Sequence, residues 1–154
     1  MIVTSNSVTH EYTIPDLTTV GQVDSNLNVI ESVTVYLNSS TTFDHTFDRT
    51  TSEPGEESVT ETVTESKTVE EFVSYRVSLE TSGISNFSSF DDLTEEEVLQ
   101  WVFDSHPTTK VNHQNQNEAS VLEKKDRVLN PLKYKKDSPV TPWRRREDEA
   151  SSVN

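Results

Sequence analysis

The sequence predicts an α+β fold: a small antiparallel sheet of three to four strands, covered on one face by a short helix, plus an extended C-terminal arm. Three observations carry that prediction. Three runs, within residues 8–14, 29–37 and 69–79, alternate apolar and polar side chains with period two, so each presents one apolar face. One later stretch, residues 87–104, bears the start signals of a helix and the apolar spacing to match. Beyond Pro107 neither period persists. These features divide the chain into a sheet-plus-helix domain over 1–107 and an interaction arm over 108–154.

In the first run Val8, His10, Tyr12 and Ile14 share one face and Thr9, Glu11 and Thr13 the other, with Pro15-Asp16 expected to stop the strand. Residues 16–28, rich in Thr, Asp and Asn, read as a connection with Gly21 at its turn. The second strand places Val29, Val33, Val35 and Leu37 inside and Ile30, Ser32, Thr34 and Tyr36 outside, with Glu31 interrupting the inner row. β-Branched side chains suit a half-buried pleated surface. Residues 38–68 are the least core-like, holding a strong turn at Ser52-Glu53-Pro54-Gly55-Glu56-Glu57. They read as a polar protruding hairpin or an acidic loop. The third strand turns Val73, Tyr75, Val77 and Leu79 one way and Phe72, Ser74, Arg76 and Ser78 the other.

A small sheet must cover its apolar face, and the cover follows in sequence. Thr94 and Glu97 form a capping box, with Leu93 and Val98 as a hydrophobic staple. Glu95, Glu96 and Glu97 place negative charge at the positive end of the helix dipole. Val98, Leu99, Trp101, Val102 and Phe103 supply the apolar stripe laid over the sheet. Asp104-Ser105-His106-Pro107 ends the helix, because the residue before proline is pushed out of the α region. Residues 112–118 then read as a polar linker, with a short helix conceivable over 119–129.

The formal net charge of -14 is unevenly spread. Residues 1–105 hold three basic side chains against twenty carboxylates, and residues 106–154 hold ten against seven. An acidic body does not suit nucleic acid, whose phosphates call for Lys and Arg. Cysteine is absent, which removes disulfides and thiolate metal sites. No apolar run approaches the roughly 18 residues of a membrane helix, and residues 1–7 have none of the basic and apolar regions of an export signal.

No constellation announces a reaction. The four histidines, His10, His45, His106 and His113, are not paired at metal-ligand spacing. Asp44, His45 and Asp48 come nearest to a metal set, but as polar residues of an acidic segment they need no ion. There is no nucleophile elbow and no Gly-rich phosphate loop, so neither a catalytic residue nor a cofactor is expected. The best interaction candidates are Lys133, Tyr134, Lys135 and Lys136, with Trp143, Arg144, Arg145 and Arg146. Trp, Tyr and Arg dominate interface energetics, and here they alternate with prolines in a segment suited to lying on a partner, with Trp143 as anchor.

The segment Phe90-Asp91-Asp92-Leu93-Thr94-Glu95-Glu96-Glu97-Val98-Leu99-Gln100-Trp101-Val102 resembles a pattern in small uncharacterised proteins of tailed bacteriophages. Tyr12, Asn28-Val29-Ile30-Glu31-Ser32-Val33 and Asp92-Leu93-Thr94-Glu95 with Trp101 carry the likeness, over roughly residues 8–105. The family pattern is structural and brings no active site. The basic C-terminal arm departs from it. The resemblance implies a phage setting. In that setting the Ser/Thr-rich strands, the want of a catalytic constellation and an arm suited to wrapping a neighbour lead to the expectation of a minor structural or accessory protein of the virion, assembled in the host cytoplasm and bound to larger capsid or tail proteins through its arm. Its oligomeric state would then follow the symmetry of the assembly. A small acidic intracellular module acting on a host protein is the second expectation, since acidic domains can mimic nucleic acid charge.

Overall fold

In the computed structural model, described for residues 1–81 and 89–134, four strands form one antiparallel sheet in the order β1-β2-β3-β4. They are β1 (Ile2–Ser5), β2 (Val8–Val23), β3 (Asn26–Thr51) and β4 (Val59–Ser78). A 3₁₀ turn at Phe90–Asp92 leads into α1 (Glu95–Ser105), and α2 (Pro107–Leu129) follows almost at once, ending in a second 3₁₀ turn at Pro131–Tyr134. The fold class is the expected α+β, but the sheet is covered by two helices.

The strands run past the expected stops. β1 is an unforeseen edge strand, joined to β2 by a two-residue turn with positive φ at Asn6 and Ser7. Two positive φ values are what a hairpin of the primed type needs. Pro15 does not end β2. Thr13 pairs with Tyr36 and Asp16 with Thr34, so Ile14 and Pro15 together face Val35 in a bulge, which accommodates a residue without an N–H. The Ile14 N–H, turned out of the ladder, donates to Glu95 Oε2 at 3.1 Å, giving that glutamate a task beyond the helix dipole. The turn into β3 falls at Asp24-Ser25, with Asp24 at φ +54°, while Gly21 sits inside the strand.

A second register shift pairs Thr18 with Ser32 and Thr19 with Ile30, leaving Glu31 as the extra residue of β3. One extra residue reverses the alternation. Ile30, expected outside, therefore joins the core and Glu31 turns to solvent. The core gathers Tyr12, Ile30, Val33, Val35, Leu37 and Val77 from the sheet with Val98, Leu99, Val102 and Phe103 from α1. Trp101 does not join it and is 39% exposed. At about 100° per residue the four buried positions of α1 span an arc of about 140°, and Trp101 lies about 130° from its centre.

The capping box forms as the sequence predicts. Glu97 N donates to Thr94 Oγ1 at 3.3 Å, and Thr94 N donates to Glu97 Oε2 at 2.8 Å. The bond from Thr94 N, joined by one from Thr94 Oγ1 to the same oxygen, holds the Glu97 carboxyl below the usual carboxylate range. Replacing Thr94 with alanine should cost about 1 kcal/mol in chemical denaturation, with an unchanged m-value, as expected for a cap loss.

The sequence boundary at 107/108 does not mark the end of the folded layer. Pro107 opens α2 instead of preceding an arm, because a proline at the first helical position gives up an N–H that has no helical partner. Residues 112–118 are helix interior, and α2 packs across β3 and β4.

Candidate interaction surface

α2 is attached to the sheet by polar side chains. Asn117 Nδ2 donates to the carbonyls of Leu37 and Glu71 at 3.4 and 3.3 Å, bridging β3 and β4. Tyr12 Oη donates to Gln114 Oε1 at 2.7 Å, and Tyr75 stacks on His113 with ring centroids 4.2 Å apart. Burial pushes the Tyr12 phenol well up and that of Tyr75 up to about 12.

At the centre of this layer His10 Nδ1 meets Ser39 Oγ at 2.8 Å and Nε2 meets Glu118 Oε2 at 3.3 Å. Asn6 Nδ2, from the β1–β2 turn, donates to the other oxygen of Glu118. That bond from Asn6, joined by those of His10 and Ser5, holds the Glu118 carboxyl below its usual range despite desolvation. Ser, His and Glu in line have the composition of a nucleophilic relay. Yet Ser39 and His10 are wholly buried and Glu118 is 9% exposed, so no substrate can reach the hydroxyl. The group ties helix to sheet. His10 is legible from strand alternation, whereas Glu118 was assigned to the linker. The signal for α2 was the spacing Lys110, Gln114, Asn117, Val121, Lys125, a helical row hidden by its polarity.

Of the eight expected contact residues, Lys133 and Tyr134 lie among those described. Both fold back on the last turn of α2. Lys133 Nζ binds Asp126 Oδ2 at 2.8 Å, Tyr134 Oη donates to the same oxygen, and the Arg127 guanidinium stands 4.5 Å from the Tyr134 ring centre. These partners, Lys133 first, hold the Asp126 carboxyl far below its ordinary range. Lys133 keeps most of its side chain exposed and Tyr134 is half-buried. Lys135, Lys136, Trp143, Arg144, Arg145 and Arg146 fall outside the described residues.

The surface that projects is the distal part of the β3–β4 ribbon, paired from Phe43↔Lys67 out to Thr51↔Val59. Pro54-Gly55 turns it, with Gly55 at φ +87° and Glu56 N bonded to Glu53 O at 3.0 Å. Its outer face carries cross-strand hydroxyl pairs, Thr42–Thr68, Thr46–Thr64 and Thr50–Thr60, each within 2.9 Å. Such pairs secure register where no core does. On the face continuous with the covered side stand Phe43, His45, Phe47, Val63 and Val59. His45 and Phe47 stack at 5.1 Å, which separates His45 from Asp44 and Asp48 on the opposite face. Among the described residues no group of three or more His, Asp or Glu could hold a metal ion.

A family model described as "Domain of unknown function (DUF7936)" matches residues 7–143. The chain belongs to the DUF7936 family. No curated protein and no solved structure matches it. The DUF7936 match runs unbroken across 107/108, in keeping with the packing of α2, and reaches Trp143. Elsewhere the DUF7936 domain has a cleft of about 260 Å³ between Ile14, Leu17, Ile30, Phe90, Leu93 and Val98. That is below the usual size of a small-molecule site, and its polar lining among the described residues is Thr94 and Glu95. No described helix is long and apolar enough to cross a membrane.

Proposed function

We propose that this DUF7936 protein is a non-enzymatic accessory protein of a bacteriophage virion, anchored to a larger capsid or tail protein through the chain beyond Tyr134. The observation that carries the reading is the distribution of polar groups. Those with catalytic composition are buried as ties between layers, while the β3–β4 ribbon projects beyond the helices. A two-stranded ribbon without a covered face gains little stability of its own, so its length favours contact with a partner. The setting in a particle rests on the likeness of residues 8–105 to small proteins of tailed phages.

With Lys133 and Tyr134 tied to Asp126, anchoring falls to Lys135, Lys136, Trp143, Arg144, Arg145 and Arg146. Mass spectrometry of purified particles should find the protein at a fixed copy number. A chain ending at Tyr134 should fold and be missing from those particles. Its incorporation at the normal level would overturn the anchoring role, and absence of the full chain from particles would overturn the virion role. The net charge of -17 over residues 1–105 favours one second reading, a module binding a basic host protein. In that case the Tyr134-terminated chain would still capture its target from host lysate.

A further inference from the structure

The helices lie on the sheet face of Tyr12, Leu37 and Val77, and the opposite face is open, with Glu11, Phe72, Ser74 and Arg76 all exposed. The pairings Ile2↔Glu11, Glu11↔Asn38 and Asn38↔Phe72 carry one row of that open face across all four strands. Its two ends are large and apolar, yet Ile2 is 66% and Phe72 59% exposed. Phe72 stacks on Tyr36 of the next row, with ring centroids 5.9 Å apart. At about 4.8 Å between strands the row spans roughly 14 Å, the length of about four extended residues.

We propose that this open face receives a basic segment of a partner protein, with an arginine or lysine side chain laid over Tyr36 and Phe72 between Glu11 and Glu70. Two observations choose that occupant. The first is charge, counted on this face alone. From the Thr34↔Arg76 pair out to Thr50↔Thr60, its charged side chains are Glu11, Asp16, Asp44, Asp48 and Glu70 against Arg76. Arg76 is taken by Asp16 at 3.4 Å, so the other four carboxylates have no basic partner among the described residues. The helix-side face of the ribbon is balanced by contrast, since Arg49 bonds Glu61 and Lys67 meets Glu65 at 3.3 Å. The second observation is the aromatic pair. An open ring face attracts a guanidinium or ammonium group, and the chain uses that contact internally where Lys110 stands 4.2 Å from the Phe103 ring centre. Carboxylates on either side complement the same cation. Their charge turns away nucleic acid and the same face of a second copy. The inference goes beyond the anchoring arm: it assigns a second contact surface and does not depend on the virion setting.

The test titrates the isotope-labelled full chain with a short peptide of alternating arginine and valine, acetylated and amidated, and follows amide shifts by NMR. The shifts should saturate and centre on Glu11, Tyr36, Asn38 and Phe72. Phe72→Ser should weaken binding about tenfold. Glu11→Gln with Glu70→Gln should weaken it by a similar factor and flatten its dependence on salt. None of these residues belongs to the core cluster, so the thermal midpoint should hold in both variants. Glu61→Gln with Glu65→Gln, on the other face, should change the affinity less than about twofold. Replacing the peptide's arginines with citrulline should abolish saturation. The proposal is overturned by shifts spread evenly along the ribbon, by an affinity that Phe72→Ser leaves unmoved, or by an equal loss from the Glu61 and Glu65 change. Saturable binding of the citrulline peptide would assign the face to an uncharged ligand and overturn the basic occupant. So would the lack of any saturable shift at millimolar peptide.

Discussion

A chain ended at Pro107 should lose its cooperative thermal transition, and one ended at Tyr134 should keep it. The sequence suggested the opposite for the shorter chain, because residues 1–107 contain all the long apolar runs. Part of the sheet's cover is α2, which packs across β3 and β4. Removing it strips Tyr12 and Tyr75 of their helical partners and uncovers His10, which is otherwise wholly buried. Val121, also wholly buried, is lost with it. Re-exposing a large apolar side chain costs about 1.5–3 kcal/mol. A few such losses consume the roughly 5–15 kcal/mol by which a domain of this size is stable. Circular dichroism on heating, with proton NMR dispersion as a second probe, decides the matter. A sharp transition in the 1–107 chain would show that α1 alone suffices as cover.

Glu118→Ala should be the most damaging single polar substitution, at about 3 kcal/mol, because it leaves the wholly buried His10 ring without its partner at Nε2 and takes the acceptor from Asn6. The loss should depend on pH in a definite direction. The Glu118 carboxyl is held below its ordinary range in the folded chain, chiefly by Asn6. Its stabilising effect is thus fully present above the ordinary carboxylate pKa and disappears as pH falls through the depressed folded value. Chemical denaturation of wild type and variant should differ most at neutral pH and converge in acid. A gap that widened on acidification would mean that the carboxyl is raised, not lowered, by its surroundings. His10→Ala in the same background tests the coupling: the two losses should fall short of additivity, since both remove one contact.

The strand interiors and the start of α1 are legible in the linear chain. Val33, Val35 and Leu37, and likewise Val73, Tyr75 and Val77, alternate so strictly that only one face could be buried. The signals at Thr94 and Glu97 are local, set by side chains three residues apart, and local chemistry is what a linear reading captures. How far each strand runs depends on its neighbours in the sheet. Pro15 looks like a stop in the sequence and Glu31 like a break in the inner row, but each sits in a bulge whose position depends on the neighbouring strand. α2 was hidden for a related reason. Its buried row includes Asn117 and Glu118 as well as Val121, residues that read as solvent-loving until Leu37 O, Glu71 O and His10 are set opposite them. Polar burial is stable only when its partners are in place. Those partners lie 46 to 108 residues away in the chain, beyond any local period.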